Sequence, residues 1–87
     1  MTTEVHHTPD EGRYEITVDG ELAGFVQYRD EGQRRVFPHT EIEPRFENQG
    51  LGTEVVAHAI AKTREAGLEI VPLCPFVRAY VEANPQA

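Results

Sequence analysis

The fold is decided by the stretch Gln49-Gly50-Leu51-Gly52, which joins an extended segment to a helical one. Before it, residues 34–43 alternate in polarity, as a half-buried strand does. Two glycines at a helix start let a ligand approach the backbone closely, and the free N–H groups of the first turn attract an anion. After it, helical spacing is kept by Leu51, Val55, Val56, Ala59, Ile60 and Thr63. The stretch predicts either a phosphate site or a plain strand-to-helix turn.

Upstream, the sequence predicts three strands joined by hairpin turns. Residues 14–18 and 21–29 flank Asp19-Gly20, a dipeptide that tolerates the positive φ angles of a two-residue hairpin. Residues 34–43 follow a second turn at Asp30-Glu31-Gly32. Three consecutive antiparallel strands are therefore expected before the helix.

Two residues interrupt these strands. Gly24 predicts a bulge or a close backbone approach. Pro38 cannot donate to a ladder, so its strand is expected to lie at an edge or to splay there. Strict alternation places Thr40 and Ile42 on one face of this strand and Phe37 on the other.

Downstream, Gly67 ends the helix, residues 68–73 are a short apolar strand, and residues 76–83 are a second short helix. The order predicts an α+β fold with a mixed sheet, whose third and fourth strands are parallel if they are neighbours. We expect one domain over residues 1–87, with residues 1–12 as a flexible lead-in.

Composition narrows the function. The net charge of −7 disfavours nucleic acid and suits a cationic amine. No apolar run is long enough to span a membrane, and the N-terminal residues do not resemble a secretory signal, so a cytoplasmic protein is expected. His6 and His7 lie in a polar segment with no other ligand cluster, so no metal site is predicted.

The common nucleotide motifs do not fit the glycine stretch. A P-loop ends in Gly-Lys-Ser/Thr, whereas Gly52 is followed by Thr53-Glu54. A dinucleotide fingerprint needs a small residue three places after the second glycine, where this chain has Val55. That fingerprint also lies in a βαβ unit, whereas the glycine stretch of this chain follows predicted hairpins.

The stretch Glu47-Asn48-Gln49-Gly50-Leu51-Gly52 instead resembles the pyrophosphate-binding motif of the GCN5-related N-acetyltransferases, Gln/Arg-x-x-Gly-x-Gly/Ala. Glu47 departs from the motif's first position. Residues 18–24, 39–52 and 71–77 are similar to the short members of that family, and the likeness covers about residues 13–85. It implies a truncated acetyltransferase core that lacks the first strand and the first two helices of full-length relatives.

The resemblance also implies acetyl-CoA as co-substrate. Its pyrophosphate would lie on the backbone of Asn48, Gln49, Gly50, Leu51, Gly52 and Thr53. Its pantetheine arm would lie between the third and fourth predicted strands, beside Ile42, Cys74 and Pro75. Arg45 would either assist with the phosphate charge or form a surface salt bridge.

Acetyl transfer to an amine needs a proton acceptor for the amine and a proton donor for the departing thiolate. His39 and Glu41 are candidate bases, or else a polar exposed strand face. The resemblance places Cys74 beside the thioester, as nucleophile or acid, although a buried cysteine is commonly inert. Tyr80 matches the acidic tyrosine of full-length relatives, or else is a core residue.

Three functions stay open from the sequence. The first is an N-acetyltransferase that acts on an unidentified amine of a small molecule or protein. The second is a non-catalytic acyl-CoA-binding or regulatory module, because the missing helices normally help to shape the acceptor site. The third is an interaction domain whose glycine turn is structural. The chain is expected to be a monomer or a weak homodimer.

Overall fold

The computed structural model describes residues 2–85, which form one five-stranded sheet and two α-helices. The elements are β1 (Thr3–Thr8), β2 (Arg13–Val18), β3 (Glu21–Glu31), β4 (Arg34–Ile42), α1 (Leu51–Glu65), β5 (Glu69–Pro72) and α2 (Pro75–Ala83). The strands lie in sequence order, antiparallel from β1 to β4, with β5 parallel to β4. This confirms the predicted α+β fold with a mixed sheet.

The predicted flexible lead-in is wrong for residues 3–8, which are strand β1 at the edge of the sheet. The expectation that the first strand is missing is wrong for the same reason. The backbone N–H of Thr2 donates to Asp19 Oδ1 at 2.8 Å, and the His7 ring stacks on Tyr14 at 4.3 Å. The polar sequence of this segment gives no clear strand signal. Its pairing with β2 and the contact of His7 with Tyr14 hold it in place. A short 3-10 turn, Pro9–Glu11, connects the two strands.

The core lies between one face of the sheet and the two helices. Tyr14, Ile16, Val26 and Phe37 from the sheet meet Val55, Val56, Ala59 and Ile60 of α1 and Val77 of α2. In the described part of the chain, no helix covers the other face of the sheet, whose exposed and half-buried side chains include Arg13, Phe25, His39 and Glu41. No helix within residues 2–85 is long and apolar enough to cross a membrane.

A bulge at Pro38 changes the faces of β4. The register between β3 and β4 shifts between Gln27 and Arg29, which lie opposite this part of β4. The extra residue places Phe37 in the same core as Ile42, so the prediction that they face opposite sides of the sheet is wrong. Strict alternation fails here because the bulge inserts one unpaired position.

The parallel strands separate directly after this bulge. The last pair between β4 and β5 is Phe37 with Pro72, and β4 continues to Ile42 without a partner on that side. Prolines at or next to the last pair limit further pairing, because proline has no N–H. The predicted splay between these strands is therefore confirmed, and it opens beside the start of α1.

Candidate functional site

A cavity of about 550 Å³ opens between the end of β4, the glycine loop and the two helix starts. Its lining includes six residues predicted from the sequence, namely Ile42, Asn48, Gly50, Leu51, Gly52 and Thr53. It also includes Thr40, Phe46, Glu47 and Phe76, which were not predicted as ligand contacts. Phe46 and Phe76 resemble ordinary core residues in sequence, and only the folded arrangement brings them to the cavity.

The glycine loop leaves backbone N–H groups free at the start of α1. Gly50 is the N-cap residue with φ +77°, and no side chain caps the helix. The N–H of Glu54 donates to the Gly50 carbonyl at 3.1 Å, which is the first hydrogen bond of the helix. The N–H groups of Leu51, Gly52 and Thr53 therefore have no partner within α1, and together with the helix dipole they form an anion site.

Two glycines make room for the floor of this cavity. A Cβ on Gly52 would lie 3.0 Å from the Phe76 ring and 3.6 Å from Ile42 Cγ1. A Cβ on Gly24 would lie 2.5 Å from the Glu41 carbonyl and would overlap the Ile42 side chain. The predicted close approach at Gly24 is thereby confirmed. A side chain at Gly24 would therefore displace Ile42 and one at Gly52 would press on Phe76, and both of these residues line the cavity.

The free edge of β4 presents backbone groups to the splay. The N–H of Glu43 donates to the Ala23 carbonyl at 2.7 Å. Hydrogen-bonded and non-bonded pairs alternate along antiparallel strands, so the N–H and C=O groups of Thr40 and Ile42 point away from β3. Because β5 does not pair with them, the Thr40 carbonyl and both Ile42 groups are available to an extended amide-containing ligand, whereas the Thr40 N–H is directed at the Cys74 sulfur.

Cys74 lies at the opening between the strands. Its side chain is 7% exposed, its N–H donates to the Phe37 carbonyl at 2.9 Å, and its Sγ lies 3.5 Å from Thr40 Oγ1. Burial, the largest single influence, raises the pKa of the Cys74 thiol. The Thr40 hydroxyl and the N–H groups of Val77, Phe76 and Thr40 together outweigh burial, so the pKa lies below its ordinary value.

His39 and Glu41 lie on the opposite face of the sheet from Thr40. His39 Nε2 and Glu41 Oε1 are 3.2 Å apart, and both side chains are more than half exposed. The His39 ring meets the edge of Phe25, with centroids 6.2 Å apart. The structure brings the two predicted bases together as a pair, but neither lines the cavity.

The remaining predicted residues do not line the cavity, and neither does Cys74. Arg45 Nη2 is 3.0 Å from Glu21 Oε2, so the salt bridge that the sequence left open is present. Tyr80 packs against the core cluster. Gln49 and Pro75 are exposed neighbours of the lining residues. Within residues 2–85, no cluster of three or more His, Cys, Asp or Glu side chains could hold a metal.

Comparison with known proteins agrees with this geometry. The family model for GCN5-related N-acetyl-transferases matches residues 13–87. No curated protein matches the sequence. Among solved structures, a GCN5-like protein of Staphylococcus aureus has a TM-score of 0.70 at 20% identity, covering 93% of this chain and 79% of its own.

Longer structures share the same core. The ribosomal-protein-S18-alanine N-acetyltransferase of Escherichia coli has a TM-score of 0.70 at 18% identity, covering 82% of this chain and 49% of its own. The PaiA N-acetyltransferase of Thermoplasma acidophilum, solved with coenzyme A, has a TM-score of 0.60 at 14% identity, covering 64% and 35%. This chain thus spans less than half the length of these two enzymes. The family match over most of the sequence, on a fold of the expected kind, shows that the chain belongs to the GCN5-related N-acetyltransferase family.

Proposed function

We propose that this protein binds acetyl-CoA in the cavity and transfers the acetyl group to an amine. The observation that carries the proposal is the set of free N–H groups on Leu51, Gly52 and Thr53, which lies next to the unpaired edge of β4. One site thus offers an anion cradle and an extended polar edge, which are the two features that a pyrophosphate and a pantetheine arm require.

The residues present fit coenzyme A. The first turn of α1 would hold the pyrophosphate, and the Thr40 carbonyl and the backbone of Ile42 would bind the pantetheine amides. Phe46 and Phe76 give the cavity apolar walls. Acetyl-CoA would supply an activated acyl group. No Lys or Arg is among the residues that line the cavity, and Glu47 is. Backbone dipoles rather than side-chain cations would therefore bind the phosphates.

Different side chains of this chain are proposed for the two proton transfers of the reaction. The His39–Glu41 pair is the proposed acceptor of the amine proton, directly or through water. The Cys74 thiol is the proposed donor to the departing sulfur, because it lies at the splay and hydrogen bonds lower the pKa of the thiol below its ordinary value. Tyr80 is the second candidate donor, and its contact with the core weakens that assignment.

The test of binding is calorimetry with acetyl-CoA and with CoA. The unaltered protein is expected to bind with micromolar affinity. Gly50→Glu is expected to weaken binding on the order of 100-fold, because a carboxylate at the anion site repels the pyrophosphate. Gly32→Glu is the matched control, since Gly32 also has a positive φ, +62°, with open space around it, and lies in the turn between β3 and β4. Equal losses in both variants, or no binding by the unaltered protein, would contradict the proposal.

A non-catalytic acyl-CoA-binding module is the alternative, and one observation favours it. No helix covers the sheet face that carries His39 and Glu41, so the described residues do not enclose an acceptor amine. Turnover with a panel of amines separates the two functions. Loss of turnover in Cys74→Ala and Glu41→Gln, with CoA binding retained, would support catalysis. The acceptor, the cytoplasmic location and the monomer or weak homodimer stay predictions.

A further inference from the structure

We propose that Thr40 is a positioning residue whose hydroxyl orients the Cys74 thiol and stabilises the thiolate left when Cys74 gives up its proton. The role in turnover rests on the proposed acetyl transfer, whereas the contact itself does not. Thr40 lines the cavity, while Cys74 lies directly behind it. Thr40 therefore stands where one side chain can touch both the ligand space and the sulfur.

The Pro38 bulge creates this arrangement. Because the bulge adds one residue to β4, Thr40 faces the helices like Phe37, although three positions separate them. With strict alternation, two residues three positions apart would lie on opposite faces. The splay also directs the N–H of Thr40 toward the same sulfur as its hydroxyl. Side chain and backbone of one residue thus converge on Cys74.

A hydroxyl can serve both protonation states of the thiol. In the neutral state, the Cys74 S–H donates to Thr40 Oγ1, with the two heavy atoms 3.5 Å apart. During transfer, the bond from the amine nitrogen to the acyl carbon forms and the carbon–sulfur bond breaks. The Cys74 proton passes to the leaving sulfur. The Thr40 O–H then rotates and donates to the Cys74 thiolate. The His39–Glu41 pair takes the amine proton and releases it to solvent, and a solvent proton restores the Cys74 thiol.

The other ionisable side chains of the elements around Cys74 are exposed, paired with each other or packed against the core. His39 and Glu41 on β4 pair with each other on the opposite sheet face. On α2, Arg78 is exposed and Tyr80 packs against the core. Glu69 on β5 is exposed, and the buried side of α1 carries no ionisable residue. The Thr40 hydroxyl is the side-chain group in hydrogen-bond contact with the sulfur.

The test is the pH dependence of alkylation by iodoacetamide in the absence of CoA. Cys74 is the one cysteine of the chain, so the signal is unambiguous. Thr40→Val removes the hydroxyl with little change in shape and is expected to move the profile to higher pH. At neutral pH the rate should fall about tenfold, as for the loss of one hydrogen bond to an ionised group. Thr40→Ser keeps the hydroxyl and should retain the original profile.

The profile of Thr40→Val overlaying that of the unaltered protein would overturn the proposal, and so would a profile of Thr40→Ser shifted as far as that of Thr40→Val. Thermal unfolding of each variant verifies that the fold is retained. In turnover, Thr40→Val should lower kcat by a larger factor than it changes KM for acetyl-CoA, and it should move the alkaline limb of the rate profile to higher pH. Because alkylation is measured without acetyl-CoA, its result can be interpreted even if the protein transfers no acetyl group.

Discussion

Strand β4 takes part in two regions: in one the polar groups are paired with each other, and in the other they are left unpaired. At its start lies the Arg35 network, formed by His7, Tyr14, Tyr28, Asp30 and Arg35. The guanidinium donates to Tyr14 Oη at 2.9 Å and to both oxygens of Asp30 at 2.7 and 2.9 Å, and it lies 4.2 Å from the Tyr28 ring centroid. The His7 ring hydrogen-bonds the Tyr28 hydroxyl. The polar groups of these residues, which come from four strands, thereby find their hydrogen-bond and ring partners within the network.

At the end of β4, the cavity keeps its polar groups unpaired. The N–H groups of the first turn of α1 and the free edge of β4 have no partners within their own elements. Unpaired backbone groups cost stability unless water or a ligand binds them. The contrast teaches that the Arg35 network stabilises the fold, whereas the cavity retains binding capacity. It predicts that mutations in one region leave the property of the other region unchanged.

The largest effect is expected from Arg35→Met, which keeps the aliphatic stem and removes the guanidinium. The change deprives the buried Tyr14 hydroxyl of its donor and removes the contact with Tyr28. Unfolding free energy should fall by about 2–4 kcal/mol, as measured by urea denaturation. CoA affinity should stay within about twofold of its original value at a temperature where the variant is folded. A parallel loss of affinity would show that the two regions are coupled.

Gly24→Ala tests the cavity side of the comparison. The new methyl group would overlap Ile42 and press on the Glu41 carbonyl. We expect a loss of about 1–3 kcal/mol in stability. A loss of CoA affinity should accompany it, because Ile42 must move into the cavity. Gly20→Ala is the control for affinity, since a methyl group there meets nothing within 4 Å, although its φ of +87° costs stability by itself. Unchanged CoA affinity in folded Gly24→Ala would contradict the role assigned to this glycine.

Glu47→Gln should strengthen CoA binding by about two- to fivefold at low salt, because one carboxylate is removed from the cavity wall. Added salt should shrink the difference, since the charge is exposed to solvent. Glu82→Gln on α2 carries the same change in net charge away from the cavity and should leave affinity unchanged. Calorimetry at two ionic strengths checks both variants. An equal gain from Glu82→Gln would assign the effect to net charge alone.

The sequence could predict the strand order and the glycine loop, because hairpin dipeptides and helical spacing are local signals. It could not predict β1, whose polar residues gain their order from Tyr14 and Asp19 of the neighbouring hairpin. It also missed Thr40 and Phe76. The bulge that turns Thr40 toward Cys74 depends on pairing across β3 and β4, and the contact of Phe76 with Gly52 joins two distant helix starts.

An effect of similar small size concerns the charge within the Arg35 network. The hydrogen bonds from Arg35 lower the pKa of Asp30 below its ordinary value of 3.8. A carboxyl with a lowered pKa in the folded state adds stability above its unfolded pKa, and this contribution is lost as pH falls from there through the folded pKa. Asp30→Asn should therefore cost about 0.5–1 kcal/mol at neutral pH, since the carboxylate is partly exposed, and almost nothing near pH 2.

Urea denaturation of both proteins at these two pH values measures the difference. An equal cost of Asp30→Asn at both pH values would mean that shape rather than charge makes Asp30 matter. The same two measurements also test the contrast between the Arg35 network and the cavity. The stability that Arg35 confers through Asp30 should fade in acid, whereas the backbone N–H groups at the start of α1 do not titrate. Acid should thus weaken the fold through one region while the anion site of the other keeps its donors.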